Sequence, residues 1–148
     1  MKLLITLLLC CMATATMAQT NIAAADTGAT ANLSAYNALY ILNQADDKKI
    51  RGIIRNINNA LDDPRLKGKL HIELVVFGEG VEAFKKLNHY DTLLVALQNK
   101  GVLLAQCLNT MRERKISKDE LWPFISYVPS GNGEIIIRHY QGWATVHP

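Results

Sequence analysis

Between Tyr36 and the C-terminus, short apolar runs alternate with segments whose apolar residues recur every three or four positions. That alternation leaves few folds open. Apolar runs of four to eight residues, bounded by turn signals, read as strands, and the 3.6-residue stripes between them read as amphipathic helices. Strands joined through helices form parallel crossover units, which stack helices on both sides of one sheet. The expected fold is α/β, three layers deep, around a mainly parallel five-stranded sheet.

The first strand is expected over Tyr36–Leu42, followed by a turn from Asn43 in which Asp46 or Asp47 can cap a helix. Ile50, Ile53, Ile54, Ile57 and Leu61 give that helix its apolar stripe, and Asp62-Asp63-Pro64 ends it. Lys49, Arg51, Arg55, Asn56 and Asn59 on the other side read as a solvated surface. Residues 70–77 form a second strand, whose polar His71 and Glu73 point to a place near the sheet edge. Gly78-Glu79-Gly80-Val81-Glu82-Ala83 then opens a helix through Phe84 and Leu87. Its spacing is formally that of a dinucleotide-binding turn. It follows the second strand rather than the first, however, and Glu79 and Glu82 would repel a pyrophosphate. A tight turn that needs glycine backbone is the better reading.

Asp91 is expected to cap a helix along Leu93, Leu94, Ala96 and Leu97, closed by Gly101. A third strand runs through Val102 into Cys107, and Asn109 is expected to cap a short turn through Arg112. Ser117 and Glu120 have capping-box spacing. The last two strands are expected over residues 125–128 and 143–146. Between them lies a loop and then a helix, capped by Ser130 or Asn132, with Glu134 and Arg138 paired and Gly142 closing it.

Residues 1–18 stand apart from this pattern. Lys2, an apolar stretch to Met12 and the small residues around Ala13, Ala15 and Ala18 have the layout of a secretory signal peptide, with cleavage expected after Ala18 or, alternatively, Ala15. The stretch is short of the ~20 residues a membrane-spanning helix needs. Bulky leucine before Cys10 and Cys11 argues against a lipid anchor. A periplasmic or secreted protein is expected, with residues 19–34 as an Ala-, Thr- and Asn-rich tether and 35–148 as the folded domain. The composition, 49% apolar and 20% charged, is that of a globular chain, and a net charge of +3 spread along the sequence gives no footing for nucleic acid.

Loss of the leader leaves Cys107 as the single cysteine, so no disulfide forms within the chain. Such a thiol is buried, reactive or paired with another chain. Its place is suggestive, at the carboxyl end of a buried strand and before a helical turn whose positive end favours thiolate. The alternative is a small apolar side chain filling the core. His71, His89, His139 and His147 lack metal-ligand spacing, and no phosphate loop or serine elbow is present, so neither metal nor cofactor is expected. Cys107 is the one nucleophile with a supporting context.

Residues 36–148 resemble the DsrE/DsrF-like family of small sulfur-handling α/β proteins, in its exported, single-domain form. The resemblance lies in Phe77-Gly78-Glu79-Gly80-Val81, Gly101-Val102 leading to Cys107-Leu108-Asn109-Thr110, Val128-Pro129-Ser130-Gly131, and Gly142-Trp143-Ala144, in that order. It implies a Rossmann-like or flavodoxin-like α/β/α fold, assembly into trimers or hexamers, and a cysteine that carries sulfane sulfur as a persulfide. By position that cysteine is Cys107, flanked by Asn109 and Thr110. The expected chemistry is attack of the Cys107 thiolate on a persulfide or polysulfide, followed by release to a thiol or sulfite, sulfurtransferase-like if it turns over. Backbone N–H groups after Cys107 and after Ser130 are expected to steady the anion. A competing reading is a binding module that holds a small anion with the Asn43, Gly78 and Ser130–Gly131 loops, Cys107 being inert. A third is a purely structural homo-oligomer.

Overall fold

The computed structural model describes residues 28–148, of which 28–35 carry no regular element. The expected leader and most of the expected tether lie outside the described residues. Five strands, β1 (Tyr36–Leu42), β2 (Leu70–Val76), β3 (Leu103–Cys107), β4 (Ser126–Val128) and β5 (Ala144–Val146), form one parallel sheet in the order β4-β3-β2-β1-β5. The helices are α1 (Asp47–Asp62), α2 (Asp91–Asn99), α3 (Leu108–Arg114) and α4 (Gly131–Tyr140). The architecture is the expected three-layer α/β fold.

α1 forms where its stripe predicts. Asp46 Oδ1 accepts the Lys49 N–H at 3.0 Å, and Ile50, Ile53, Ile54 and Ile57 are all buried. They pack on Ala38, Tyr40, Leu42, Leu74, Val76 and Leu104, which point to one face of the sheet. Burying such a side chain stabilises by about 1.5–3 kcal/mol, so this face carries most of the core. Leu94 and Leu97 of α2 and Met111 of α3 belong to the same cluster. The other face is thinner. Leu39, Ile41 and Val75 meet Phe77, Val128, Ile135 and Trp143 under α4 alone.

α2 ends in a Schellman motif: the Val102 N–H reaches Leu97 O at 3.1 Å, the Gly101 N–H reaches Gln98 O at 2.8 Å, and Gly101 has φ +85°. α4 closes in the same way through Gly142, with Trp143 N–H on Arg138 O at 3.0 Å.

Several expectations need correction. β2 is not near the edge; it lies between β1 and β3. Its Glu73 is fully buried, tolerated there because Arg138 Nε lies 2.8 Å from Glu73 Oε2. The stretch after β2 is not α-helical but a pair of 3₁₀ segments, Gly78–Phe84 and Lys86–Asn88. Lys85 interrupts them in extended conformation, where it bridges to Leu121, and Leu87, expected in that helix, is 80% exposed. Gly78 has φ +57°, and a Cβ on Gly80 would collide with the Leu42 carbonyl, so both glycines serve the turn after β2. Tyr90, not Asp91, occupies the N-cap of α2, and Ala96 is exposed. Asn109 does not cap α3, because the residue at the cap is Cys107 itself.

Candidate functional site

The chain leaves β3 toward the face covered by α1 and α2, where Met111 packs, and leaves β4 toward the opposite face, where Ile135 packs. Adjacent parallel strands whose chains depart on opposite sides leave a crevice at their carboxyl ends. Cys107, the last residue of β3, stands in that crevice, paired in register with Val128 of β4. A cavity of about 200 Å³ opens beside it.

Of the residues singled out from the sequence, Cys107, Asn109, Thr110, Ser130, Gly131 and Gly78 all line this cavity. Asn43 does not. Its backbone lies under the glycine turn instead, where a Cβ on Gly78 would be 3.5 Å from Asn43 O. Phe77, Glu113 and Asn132 line the cavity without having been anticipated. Two carried a readable signal. Phe77 continues the β2 alternation on the side of Glu73 and Val75, and Glu113 falls three residues after Thr110, hence on the same helix face. Asn132 is the second residue of α4, and its spacing signals only a helix start.

Cys107 has 4% of its surface exposed and lines the cavity. Its Sγ accepts the Thr110 N–H at 3.5 Å and thereby caps α3. Burial pushes the thiol up, but the Thr110 and Gly131 N–H groups, the Thr110 hydroxyl and the Asn109 N–H outweigh it and hold the thiol below its ordinary range. Part of the thiol is therefore converted to the nucleophilic form at a lower pH than for a free cysteine.

Three connections hold the surrounding loops. Thr110 Oγ1 accepts the Gly78 N–H at 2.9 Å, tying α3 to the turn after β2. The Asn109 N–H reaches Pro129 O at 3.3 Å, tying α3 to the end of β4. Ser130 Oγ accepts the Gly133 N–H at 3.2 Å and caps α4. Gly131 must be glycine for the site to close, since a Cβ there would lie 2.8 Å from Phe77 Cδ1. From below, α4 is held by an ion-pair cluster in which Arg138 Nε lies 2.8 Å from both Glu73 Oε2 and Glu134 Oε1, with the guanidinium 4.3 Å over the Trp143 ring.

Among the described residues no group of His, Cys, Asp and Glu could hold a metal ion, and no helix is long and apolar enough to cross a membrane. Surface depressions of about 450 and 360 Å³ also exist, the first lined by Lys85, Lys86, Leu87, Asp119 and Glu120, the second around His71 and Gly101; neither holds a thiol.

Among curated proteins none matches this chain. Among solved structures, a protein of unknown function from Methanobacterium thermoautotrophicum is similar, with 28% identity and a TM-score of 0.72 over 76% of this chain and 99% of that one. The family model described as DsrE/DsrF-like matches residues 20–148. With the fold and the order of its motifs, that match places the chain in the DsrE/DsrF-like family.

Proposed function

We propose that this protein is a sulfur carrier that holds sulfane sulfur as a persulfide on Cys107. The single observation that carries the reading is the placement of the Cys107 sulfur. It lies against a cavity of about 200 Å³, with N–H groups aimed at it that favour a charged sulfur. In the loading step the Cys107 thiolate attacks the outer sulfur of a persulfide R–S–SH. The S–S bond breaks, a new one forms at Cys107, and the departing thiolate R–S⁻ takes a proton; the sulfur moves without net oxidation. The same step run toward an acceptor thiol unloads the carrier. The cavity of about 200 Å³ beside the sulfur leaves room for the added atom.

Membership in a family of sulfur-handling proteins supports the same reading. The leader-like residues 1–18 favour a carrier that works outside the cytoplasm, and the family resemblance favours a homo-oligomer as its assembly. The test is intact mass after incubation of the chain lacking residues 1–18 with the persulfide of N-acetylcysteine methyl ester. A mass gain of one sulfur atom, reversed by a thiol and missing in Cys107→Ala, is expected. A folded protein whose Cys107 gains no sulfur and resists alkylation would overturn the proposal in favour of an inert, buried thiol.

A further inference from the structure

The charge on the sulfur partner is restricted by what lines the Cys107 cavity. Among its lining residues Glu113 alone carries a charged side chain; no lysine, arginine or histidine contributes to the wall. Glu113 is exposed and has no ion-pair partner among the described residues. The neighbouring cation, Arg112, directs its guanidinium to Asn109 Oδ1 at 2.8 Å. Backbone donors that would otherwise draw in an anion are already committed: the Gly78 N–H to Thr110 Oγ1, and the Gly133 N–H to Ser130 Oγ. The Thr110, Gly131 and Asn109 N–H groups are directed at the Cys107 sulfur itself. A doubly charged ligand entering this cavity therefore meets a carboxylate with no compensating charge on the wall. Coulomb repulsion scales with the ligand's charge, so a dianion such as thiosulfate or sulfite is repelled twice as strongly as a monoanion.

Building on the carrier reading, we infer that Cys107 exchanges sulfur with thiol-bound persulfides bearing at most one negative charge at the reacting end, and that Glu113 is the residue that turns dianionic donors and acceptors away. The loading step is the one written above. The excluded alternative, attack on the outer sulfur of thiosulfate with sulfite leaving, is equally balanced chemically and differs in charge.

The experiment compares the wild type with Glu113→Gln and Glu113→Lys, both at an exposed position. Loading of Cys107 is timed by intact mass with the persulfide of N-acetylcysteine methyl ester and with thiosulfate. In parallel, Cys107 is titrated with two aromatic disulfides, neutral dithiodipyridine and the dianionic dithiobis-nitrobenzoate. Glu113→Gln is expected to raise the rates with both dianions by about five- to tenfold, Glu113→Lys by more, and the neutral disulfide should change by less than about twofold. The difference should shrink as salt is added. Dianion rates that stay unchanged in both variants, while the persulfide still loads Cys107, overturn the role of Glu113 and leave the carrier standing. A charge preference toward the disulfides without sulfur loading from either donor overturns the carrier and leaves charge selection by Glu113 in place.

Discussion

Replacing Arg138 by methionine tests whether the ion-pair cluster beneath α4 holds the helix whose first residues frame the Cys107 cavity. Glu73 is fully buried in the middle of the sheet, and Arg138 Nε, 2.8 Å from its Oε2, supplies the counter-charge. Burial pushes the Glu73 carboxyl above its ordinary range, Arg138 pulls it back, and the nearby Glu134 charge pushes it up again. Methionine keeps much of the arginine stem over Trp143 but leaves the carboxylate alone. Removing one partner of a buried pair costs about 3–5 kcal/mol. The Arg138 side chain is 24% exposed, so water retains some access, and about 2–4 kcal/mol is the expected loss near neutral pH. For a domain of this size, 3 kcal/mol corresponds to a melting temperature lower by about 9–15 °C.

The loss also has a sign with pH. The folded protein holds the Glu73 proton to a higher pH than the unfolded chain does, so stability falls as pH rises from the ordinary carboxylate range through the raised one. Without Arg138 the folded value climbs further. The penalty should therefore be largest near neutrality and shrink in mild acid, where Glu73 becomes neutral, and Glu73→Gln in the same chain should recover most of it. Urea and thermal unfolding, followed by circular dichroism at about pH 5 and about pH 7.5, measure both effects. A loss below about 1 kcal/mol, or one of equal size at the two pH values, would refute the reasoning.

Two further substitutions probe the cavity. Gly131→Ala places a Cβ 2.8 Å from Phe77 Cδ1, so Phe77 or the start of α4 must move. A cost of about 1–3 kcal/mol and slower alkylation of Cys107 are expected, measured by urea unfolding and iodoacetamide kinetics; wild-type values in both would show that this contact is slack. Thr110→Val removes the hydroxyl that accepts the Gly78 N–H and also helps hold the Cys107 thiol down. Stability should fall by about 1–3 kcal/mol, and the pH profile of alkylation should move upward, since a thiol with fewer donors ionises later. An unchanged profile would mean that the hydroxyl does not reach the sulfur.

The sequence by itself determined the local elements. The isoleucine stripe and Asp46 determine α1, because a 3.6-residue apolar period with a capping carboxylate has few other solutions. Gly101 and Gly142 mark the ends of α2 and α4, because the positive φ of a Schellman motif favours glycine. The lone thiol at the end of an apolar strand likewise marked Cys107 as the place to look.

What the tertiary structure decided is which of these elements meet. The polar residues of β2 signal an edge strand, yet Glu73 is buried in mid-sheet, where Arg138, far along the chain, reaches back to it; no local pattern records such a pairing. Asn43, Gly78 and Ser130 looked alike as loop residues at strand ends. The opposite departures of the chain from β3 and β4 put Ser130 on the cavity, the Thr110 hydroxyl ties Gly78 to it, and Asn43 lies under the glycine turn. The cap of α3 shows the same division. Its position was readable to within two residues, but a sulfur takes the role expected of Asn109 because the last residue of β3 already stands over the free Thr110 N–H. Local spacing fixes elements because it acts through near-neighbour sterics and hydrogen bonds. Which distant groups face one another, and with them the ionisation and accessibility of Cys107, is set by packing across the sheet.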